Sequence, residues 1–538
     1  MLGLMQDYPL TVESILRRGE QYFGDKTIST STAQGMERIT FAGLGTRARQ
    51  AAGILQTLGI SEGGRVATFG WNTADHMAMY FAVPSTGRVL HTLNIRLFPD
   101  QLVYTAEHAE DEAVFVDRSL LPLFSQYLPR LTTVRHIVVF DDGSANELPD
   151  DSRVLRWQDV VGDEFDFSGK VTDENSAASM CYTTGTTGNP KGVLYSHRST
   201  WLHSLITQVP STFALRESDT LLPVVPMFHA MSWGLPYAAM MAGADVVMPG
   251  ADLSPPSLVA LLEQEKVTIT AGVPTIWMGM LPLLEGRELS ALRTVICGGS
   301  AVPKSLSEGW RKAIGLPITQ AWGMTELSPI GSVATLRSEF ADASEDEKAD
   351  IRATAGLAPI GVEMRIVDTE TGQQLPWDNV ATGELECHGP WIARQYYRTD
   401  EPGEQYTSDG WLRTGDVAAI SELGYLRLVD RTKDLVKSGG EWISSVDLEN
   451  TIMAHPAVAE AAVIAMPHPK WMERPFACVV IRPGQTLTKD ELMAFLAERV
   501  DKWGLPDDIV FIDEIPKTSV GKFSKKTLRE RFVDQPLS

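Results

Sequence analysis

Short β-rich runs alternate with helix-length stretches through the first 350 residues. RVATFGW (Arg65–Trp71), RVLHTLN (Arg88–Asn94), AVFVD (Ala113–Asp117) and HIVVF (His136–Phe140) begin the series, and VTITAG (Val267–Gly272) and TVICGG (Thr294–Gly299) continue it. Such alternation predicts parallel sheets with helices on both faces, and the length leaves room for two such layers. At 538 residues the chain exceeds what one core supports, so two or more domains are expected. From about Ile360 the texture changes to short alternating runs, GVEMRIVD, GELECHG and GYLRLVDR, joined by Gly, Asn and Asp turns. These predict an antiparallel β-subdomain at about residues 355–430.

Charge places the next boundary. The whole chain carries 47 Lys and Arg against 69 Asp and Glu, a formal charge of −22. Over residues 431–538 the two signs nearly balance, and Lys517, Lys522, Lys525, Lys526, Arg529 and Arg531 crowd the end. The division read from this is residues 1–430 and a small C-terminal unit, residues 431–538. A chain so acidic is a poor general binder of nucleic acid or anionic lipid. Anionic ligands would have to be held by backbone NH groups, a metal and a few placed cations. The acidic stretch Ser338–Asp350 reads as solvated surface. Cys181, Cys297, Cys387 and Cys478 are too few and scattered for a disulfide framework or a zinc site, and fit a reducing cytosol. The N-terminus carries Asp7 and no long apolar run, and Gly and Asp interrupt the most apolar stretch, Leu235 to Met248. A cytoplasmic protein without a transmembrane segment is expected.

The strongest local signal is the string Tyr182-Thr-Thr-Gly-Thr-Thr-Gly-Asn-Pro-Lys191-Gly192, set between strand-like ASMCY and helix-like SHRSTWLHSLI. Gly185 and Gly188 let backbone approach a ligand, successive NH groups can form an anion nest, Thr183, Thr184, Thr186 and Thr187 add hydroxyl donors, and Lys191 adds charge. The string reads as a phosphate loop, with a spacing different from the G-x-x-x-x-G-K-[ST] loop of P-loop enzymes.

This string resembles the signature of the adenylate-forming superfamily, which includes acyl-CoA synthetases, peptide-synthetase adenylation domains and luciferases. Six further segments resemble the family's motifs in order: Pro226–His229, Gly298–Pro303, Gln320–Glu326, Trp411–Asp416, Asp430–Trp442 and Pro516–Lys522. The resemblance covers essentially the whole chain. It implies an α/β fold: a large N-terminal AMP-binding domain of two parallel αβαβα layers plus the β-subdomain, and a small, mobile α+β C-terminal domain. It also implies a reaction in which ATP and Mg²⁺ activate a carboxylate as acyl-AMP, with release of pyrophosphate, before the acyl group passes to a thiol.

Site roles follow from the same resemblance. The Thr183–Gly188 loop would hold the β- and γ-phosphates, Thr325 the α-phosphate, and Glu326 the Mg²⁺, with Thr183 or Thr184 as hydroxyl ligand. Asp416 would accept the ribose hydroxyls and Arg431 would contact ribose or phosphate. Trp322, where the family usually has Tyr, would stack on adenine. Gly299, Ser300, Ala301, Gln320, Ala321, Gly323 and Met324 would line that pocket. Lys522 would be the catalytic cation of adenylation. Lys433 matches the hinge of a rotating C-terminal domain, after which Lys437, Gly439 and the loop to Trp442 would form the thiol tunnel. Taken singly, most of these residues have ordinary readings, Lys522 as a solvated charge and Trp322 as core.

His229 corresponds to the family's aromatic position beside the reacting carboxylate. Ala230 follows where amino-acid-activating members carry Asp, which argues against an amino-acid substrate. Trp233 resembles the tryptophan that gates the acyl tunnel of fatty-acyl-CoA synthetases, and Gly298 is a further expected substrate residue. Sixteen residues follow Lys522 and hold no carrier segment, so free coenzyme A is the expected acceptor. The expected function is a ligase joining CoA to a medium- or long-chain aliphatic acid. A short sulfur-containing acid such as 3-methylthiopropionate is the alternative, and a non-catalytic nucleotide-binding regulator a third. A homodimer is a weaker implication of the same branch.

Overall fold

A computed structural model of the chain describes residues 1, 3–183, 189–438, 441–518 and 523–533, with the side chains of 441 and 442 outside that description. Two large sheets form the N-terminal part. One has seven strands in the order Val154–Arg156, His136–Phe140, Asp111–Asp117, Arg65–Phe69, Val89–Thr92, Ala177–Tyr182 and Gly192–Ser196. All its pairings are parallel except the last, an antiparallel hairpin. The other has eight strands and a parallel centre, Ile318–Gly323, Thr294–Cys297, Ile269–Gly272, Thr220–Pro223, Asp245–Met248 and Thr27–Thr32. Antiparallel edge strands, Ile330–Val333 and Gly35–Thr40, close its two sides. The six β-rich runs singled out above all become parallel strands of these sheets.

Two helices explain why the sheets form one core. Ala74–Ser85 buries every residue but Asp75, and Leu235–Ala242 buries all of its residues. A helix apolar on all sides must be covered on all sides. Both join the same hydrophobic cluster as strand residues Ile28, Val66, Leu90 and Ile296. Thr73 caps the first of them, accepting from the His76 amide at 3.1 Å. The Tyr237 hydroxyl then donates to the Tyr80 carbonyl at 3.2 Å, tying one helix to the other.

The β-subdomain is a four-stranded antiparallel sheet, Glu363–Val367, Gly383–His388, Leu412–Ile420 and Leu426–Arg431. A separate sheet follows, built from Val436–Ser438, Glu441–Ile443, Val458–His468 and Met472–Ile481, with Asp508–Phe511 added in parallel. Helices Ser445–Met453, Lys489–Ala497 and Lys525–Phe532 pack on it, giving the small C-terminal domain its own core. The two-domain α/β architecture is therefore the one expected. All four cysteines are buried free thiols. Among the described residues no helix is long and apolar enough to cross a membrane.

Candidate active site

Four adjacent parallel strands, Thr220–Pro223, Ile269–Gly272, Thr294–Cys297 and Ile318–Gly323, end on one side of the eight-stranded sheet. Motif residues 226–233, 298–301 and 320–326 occupy or directly follow their carboxyl ends. This is where open α/β sheets bind ligands, because the strand ends leave a crevice lined by loops.

On the nucleoside side, Asp416 and Arg431 are register partners on neighbouring antiparallel strands. Arg431 Nε lies 2.5 Å from Asp416 Oδ1, and Trp322 Nε1 donates to Asp416 Oδ2 at 3.0 Å. Asp416 is 4% exposed, so a charge-assisted bond on each oxygen is what keeps its carboxylate in place. The Trp322 ring is also buried. It lies over Gly331, where a β-carbon would come within 2.3 Å of it. The indole thus positions Asp416, a role that its reading as an adenine platform did not include. Gln320 is buried too: its Oε1 accepts from Val302 N at 2.8 Å and its amide donates to Thr354 O at 3.1 Å. This pins the end of the Gly298–Ala301 segment, in which Gly299 has φ of +89° and Ser300 and Ala301 are exposed.

On the side expected to bind phosphate, the loop connects the two strands of the edge hairpin, Ala177–Tyr182 and Gly192–Ser196, and Gly192–Ser196 leads into the helix His197–Ile206. Thr183 and Lys191 close the stem, through Thr183 N to Lys191 O at 2.9 Å and Lys191 N to Thr183 Oγ1 at 3.2 Å. Thr184, Gly185, Thr186, Thr187 and Gly188 lie outside the described residues. Beneath the stem, the Tyr182 hydroxyl meets His108 Nδ1 at 2.7 Å. Lys191 Nζ sits 4.7 Å from the Tyr396 ring centroid, and Tyr396 Oη donates to Glu326 Oε1 at 2.5 Å. Glu326 is buried in a tight turn, Thr325–Leu327, whose first carbonyl accepts from Tyr195 Oη at 2.7 Å. Sequence reasoning missed Tyr195 and Tyr396. Tyr195 lies a few residues past the loop, but Tyr396 lies in ARQYYRTD, which carries no chemical signature.

Among the described residues no three His, Cys, Asp or Glu side chains gather as a metal site. One buried carboxylate suits a hard cation that arrives on phosphate oxygens, since Mg²⁺ needs only one or two protein carboxylates. Glu326 and the Thr183 hydroxyl would hold it.

On the acyl side the backbone takes an unusual path. Ala230, Met231, Ser232, Trp233 and Gly234 have φ of 43, 55, 50, 56 and 70°, a left-handed turn in which four residues carry β-carbons. That conformation costs about 1–2 kcal/mol per non-glycine residue. Packing holds it: Ser232 Oγ donates to Val225 O at 2.7 Å, and Thr92 Oγ1 faces the Met231 sulfur at 3.8 Å. Trp233 is buried with its ring against Gly298, where a β-carbon would lie 3.0 Å from the indole and 2.9 Å from Ala321 O. Behind the turn a cavity of only about 10 Å³ is lined by Tyr195, Thr200, His203, Met231, Gly234, Tyr237 and Ser328. Burial pushes the His203 imidazole down to about 3, so it is neutral, and its Nε2 accepts from Ile330 N at 3.3 Å. His229, half-buried, opens the turn.

At the domain junction Lys433 and Lys437 are exposed, and strand partners Lys437 and Trp442 flank a turn whose Gly439 lies outside the described residues, as does Lys522. Just before Lys433, Asp430 Oδ2 accepts from Ser445 N at 2.7 Å and Ser445 Oγ at 2.5 Å. Lys525 Nζ donates to Ser445 Oγ and pairs with Glu449 at 2.8 Å. Arg529 pairs with Asp434. The final helix is thereby bonded to the junction.

A buried carboxylate held by Trp322 and Arg431 beside the strand ends of a large α/β domain, and a small C-terminal domain joined to it at a short junction, are the frame for a two-domain enzyme of this architecture. Residues 16–397 match the family described as AMP-binding enzyme, and residues 447–522 its companion, AMP-binding enzyme C-terminal domain. The chain belongs to that family. It is an adenylate-forming ligase, activating a carboxylic acid as acyl-AMP for transfer to CoA or a similar nucleophile. Among its relatives, the long-chain-fatty-acid–CoA ligase of Thermus thermophilus is 46% identical over 98% of this chain and 96% of its own. The 3-methylmercaptopropionyl-CoA ligase of Ruegeria pomeroyi is 42% identical over 99% of both chains. The solved anthranilate CoA ligase AuaEII, in complex with anthranoyl-AMP, aligns with a TM-score of 0.85 at 26% identity, covering 98% of this chain and 99% of its own.

Proposed function

We propose that the protein is an ATP- and Mg²⁺-dependent ligase that joins an aliphatic carboxylic acid to coenzyme A, releasing AMP and pyrophosphate. The observation that carries the reading is Trp233, buried in one apolar cluster with Ala230 and Met231 and set with its ring against Gly298. The relatives named for fatty acids support it.

In this reading the thiol is joined through an anhydride because a carboxylate alone resists attack. Asp416, held by Trp322 and Arg431, orients the ribose. Lys191 and the loop amides stabilise charge on the phosphates, and Thr325 binds at the phosphorus under attack. Bound Mg²⁺ supplies charge neutralisation at the phosphate oxygens. Lys522 brings a cation to the acyl and α-phosphate oxygens, then withdraws as the domain turns about Lys433. Gly439, Lys437 and Trp442 afterwards frame the approach of the thiol.

A short acid such as 3-methylthiopropionate is the second reading. The 42% identity to a 3-methylmercaptopropionyl-CoA ligase over nearly the whole chain favours it. The test is AMP formation over acids from 3-methylthiopropionate to palmitate, with and without CoA. A requirement for both acid and CoA supports the ligase. AMP release without CoA points to another acceptor, and silence with ATP still bound sinks the reading.

A further inference from the structure

Glu326 stands alone as a buried carboxylate in its turn, and a lone buried charge needs hydrogen bonds to stay ionised and oriented. The segment 391–396 supplies the frame. Ala393 N donates to Glu326 O at 2.8 Å, Ser328 Oγ to Trp391 O at 2.7 Å, and Trp391 Nε1 to Ile330 O at 3.2 Å. Tyr396 ends this zipper with its hydroxyl on Glu326 and its ring face under Lys191.

We propose that Tyr396 is a positioning residue that sets the Glu326 carboxylate for the cation and fixes the Lys191 ammonium beside it, joining the two halves of the phosphate site through one side chain. This rests on the reading above, in which Glu326 and Lys191 serve the metal and the phosphates. A short O–H···O⁻ bond is among the strong ones, and it stays a donor bond here because burial, and then the Glu326 charge, push the Tyr396 phenol well above its ordinary range. The surroundings are dry. Tyr406, edge-on at 6.3 Å, buries its own hydroxyl with no partner among the described residues, and the Glu326 charge raises its phenol as well. The ring face gives Lys191 a seat that a hydroxyl alone would not.

Two variants separate the two duties. Tyr396→Phe deletes the hydroxyl and keeps the ring. Titration of Mn²⁺ into the protein saturated with a non-hydrolysable ATP analogue, followed by calorimetry, should show affinity weakened roughly 10- to 100-fold, the usual cost of removing a hydrogen-bond partner from a metal ligand. Tyr396→Leu should add a loss of pyrophosphate affinity, from the unseated Lys191. An unchanged Mn²⁺ affinity in Tyr396→Phe overturns the proposal, as does a fall in turnover with that affinity unchanged. If the parent protein shows no acid-dependent pyrophosphate exchange, the ligase reading fails, while the Mn²⁺ titration still decides the role of Tyr396.

Discussion

Trp322 Nε1 lies 3.0 Å from Asp416 Oδ2, a bond between two residues 94 positions apart that meet across the strand ends and the β-subdomain. The indole does for this carboxylate what a ligand cannot do in advance: it holds the acceptor still before ATP arrives. Trp322→Phe removes a hydrogen bond to a charged group, worth about 1.5–3 kcal/mol. The expectation is a rise in KM for ATP of roughly tenfold to a hundredfold, with KM for the acid unaltered. Steady-state kinetics with each substrate varied checks this, and an unaltered KM for ATP would show that Arg431 alone suffices.

Gly298→Ala places a methyl 3.0 Å from the Trp233 indole and 2.9 Å from a backbone carbonyl. The ring must shift into the acid's space. KM for the acid should rise by about tenfold, as overpacking costs of about 1–3 kcal/mol imply, and ATP binding should be spared. Equal damage to both substrates would place Trp233 outside the acyl pocket.

The half-reactions should separate. Lys522→Ala should abolish acid-dependent pyrophosphate exchange while leaving thioester formation from supplied acyl-AMP. Gly439→Trp should do the reverse. Equal loss in both assays for both variants would refute a site that presents two faces in turn.

Lys525→Met tests the junction. It leaves Glu449 and Asp430 buried without their cation, and breaking one side of such a pair costs about 3–5 kcal/mol. Urea unfolding should show the C-terminal domain melting earlier than in the parent. Coincident curves would mean that water or another group replaces the lysine.

Acid should weaken the fold through histidines. His76, His197 and His203 are buried, and desolvation lowers them to about 4, 4 and 3. The unfolded chain binds these protons from about pH 6.5 downward. Between pH 6.5 and 4 the unfolded state therefore holds more protons, and stability falls as pH falls. Melting temperature measured across that window should decline, and His203→Phe should shallow the slope. A flat profile above pH 4 would contradict burial of the neutral rings.

Much of this was legible in sequence because it is local. The parallel strands announce themselves as β-branched runs, and Thr183, Lys191, Trp322, Glu326, Asp416 and Arg431 sit in motifs that sequence alone singles out, with Trp322 and Arg431 brought together on Asp416 and Thr183 bonded to Lys191. What was not legible depends on long-range contact. Tyr396 reaches Glu326 across 70 positions, and nothing in ARQYYRTD marks it. The strand Gly192–Ser196 was hidden because it is short and leads straight into a helix. The left-handed turn at Ala230–Gly234 was equally silent, since Met, Ser and Trp do not advertise positive φ.

That turn reverses the usual rule about mutation. Elsewhere a glycine introduced into ordered backbone loosens the protein; at Ala230, where only a methyl is lost, it would relieve a conformation of the wrong hand and firm the protein up, whereas at Met231 or Trp233 the lost buried side chain outweighs the relief. Every β-carbon kept there must therefore be justified by what hangs from it, whether the Met231 sulfur before Thr92, the Ser232 hydroxyl on Val225 or the Trp233 ring on Gly298. In this stretch local strain and side-chain packing pull in opposite directions, and an engineer who smoothed it for heat resistance would be trading one for the other.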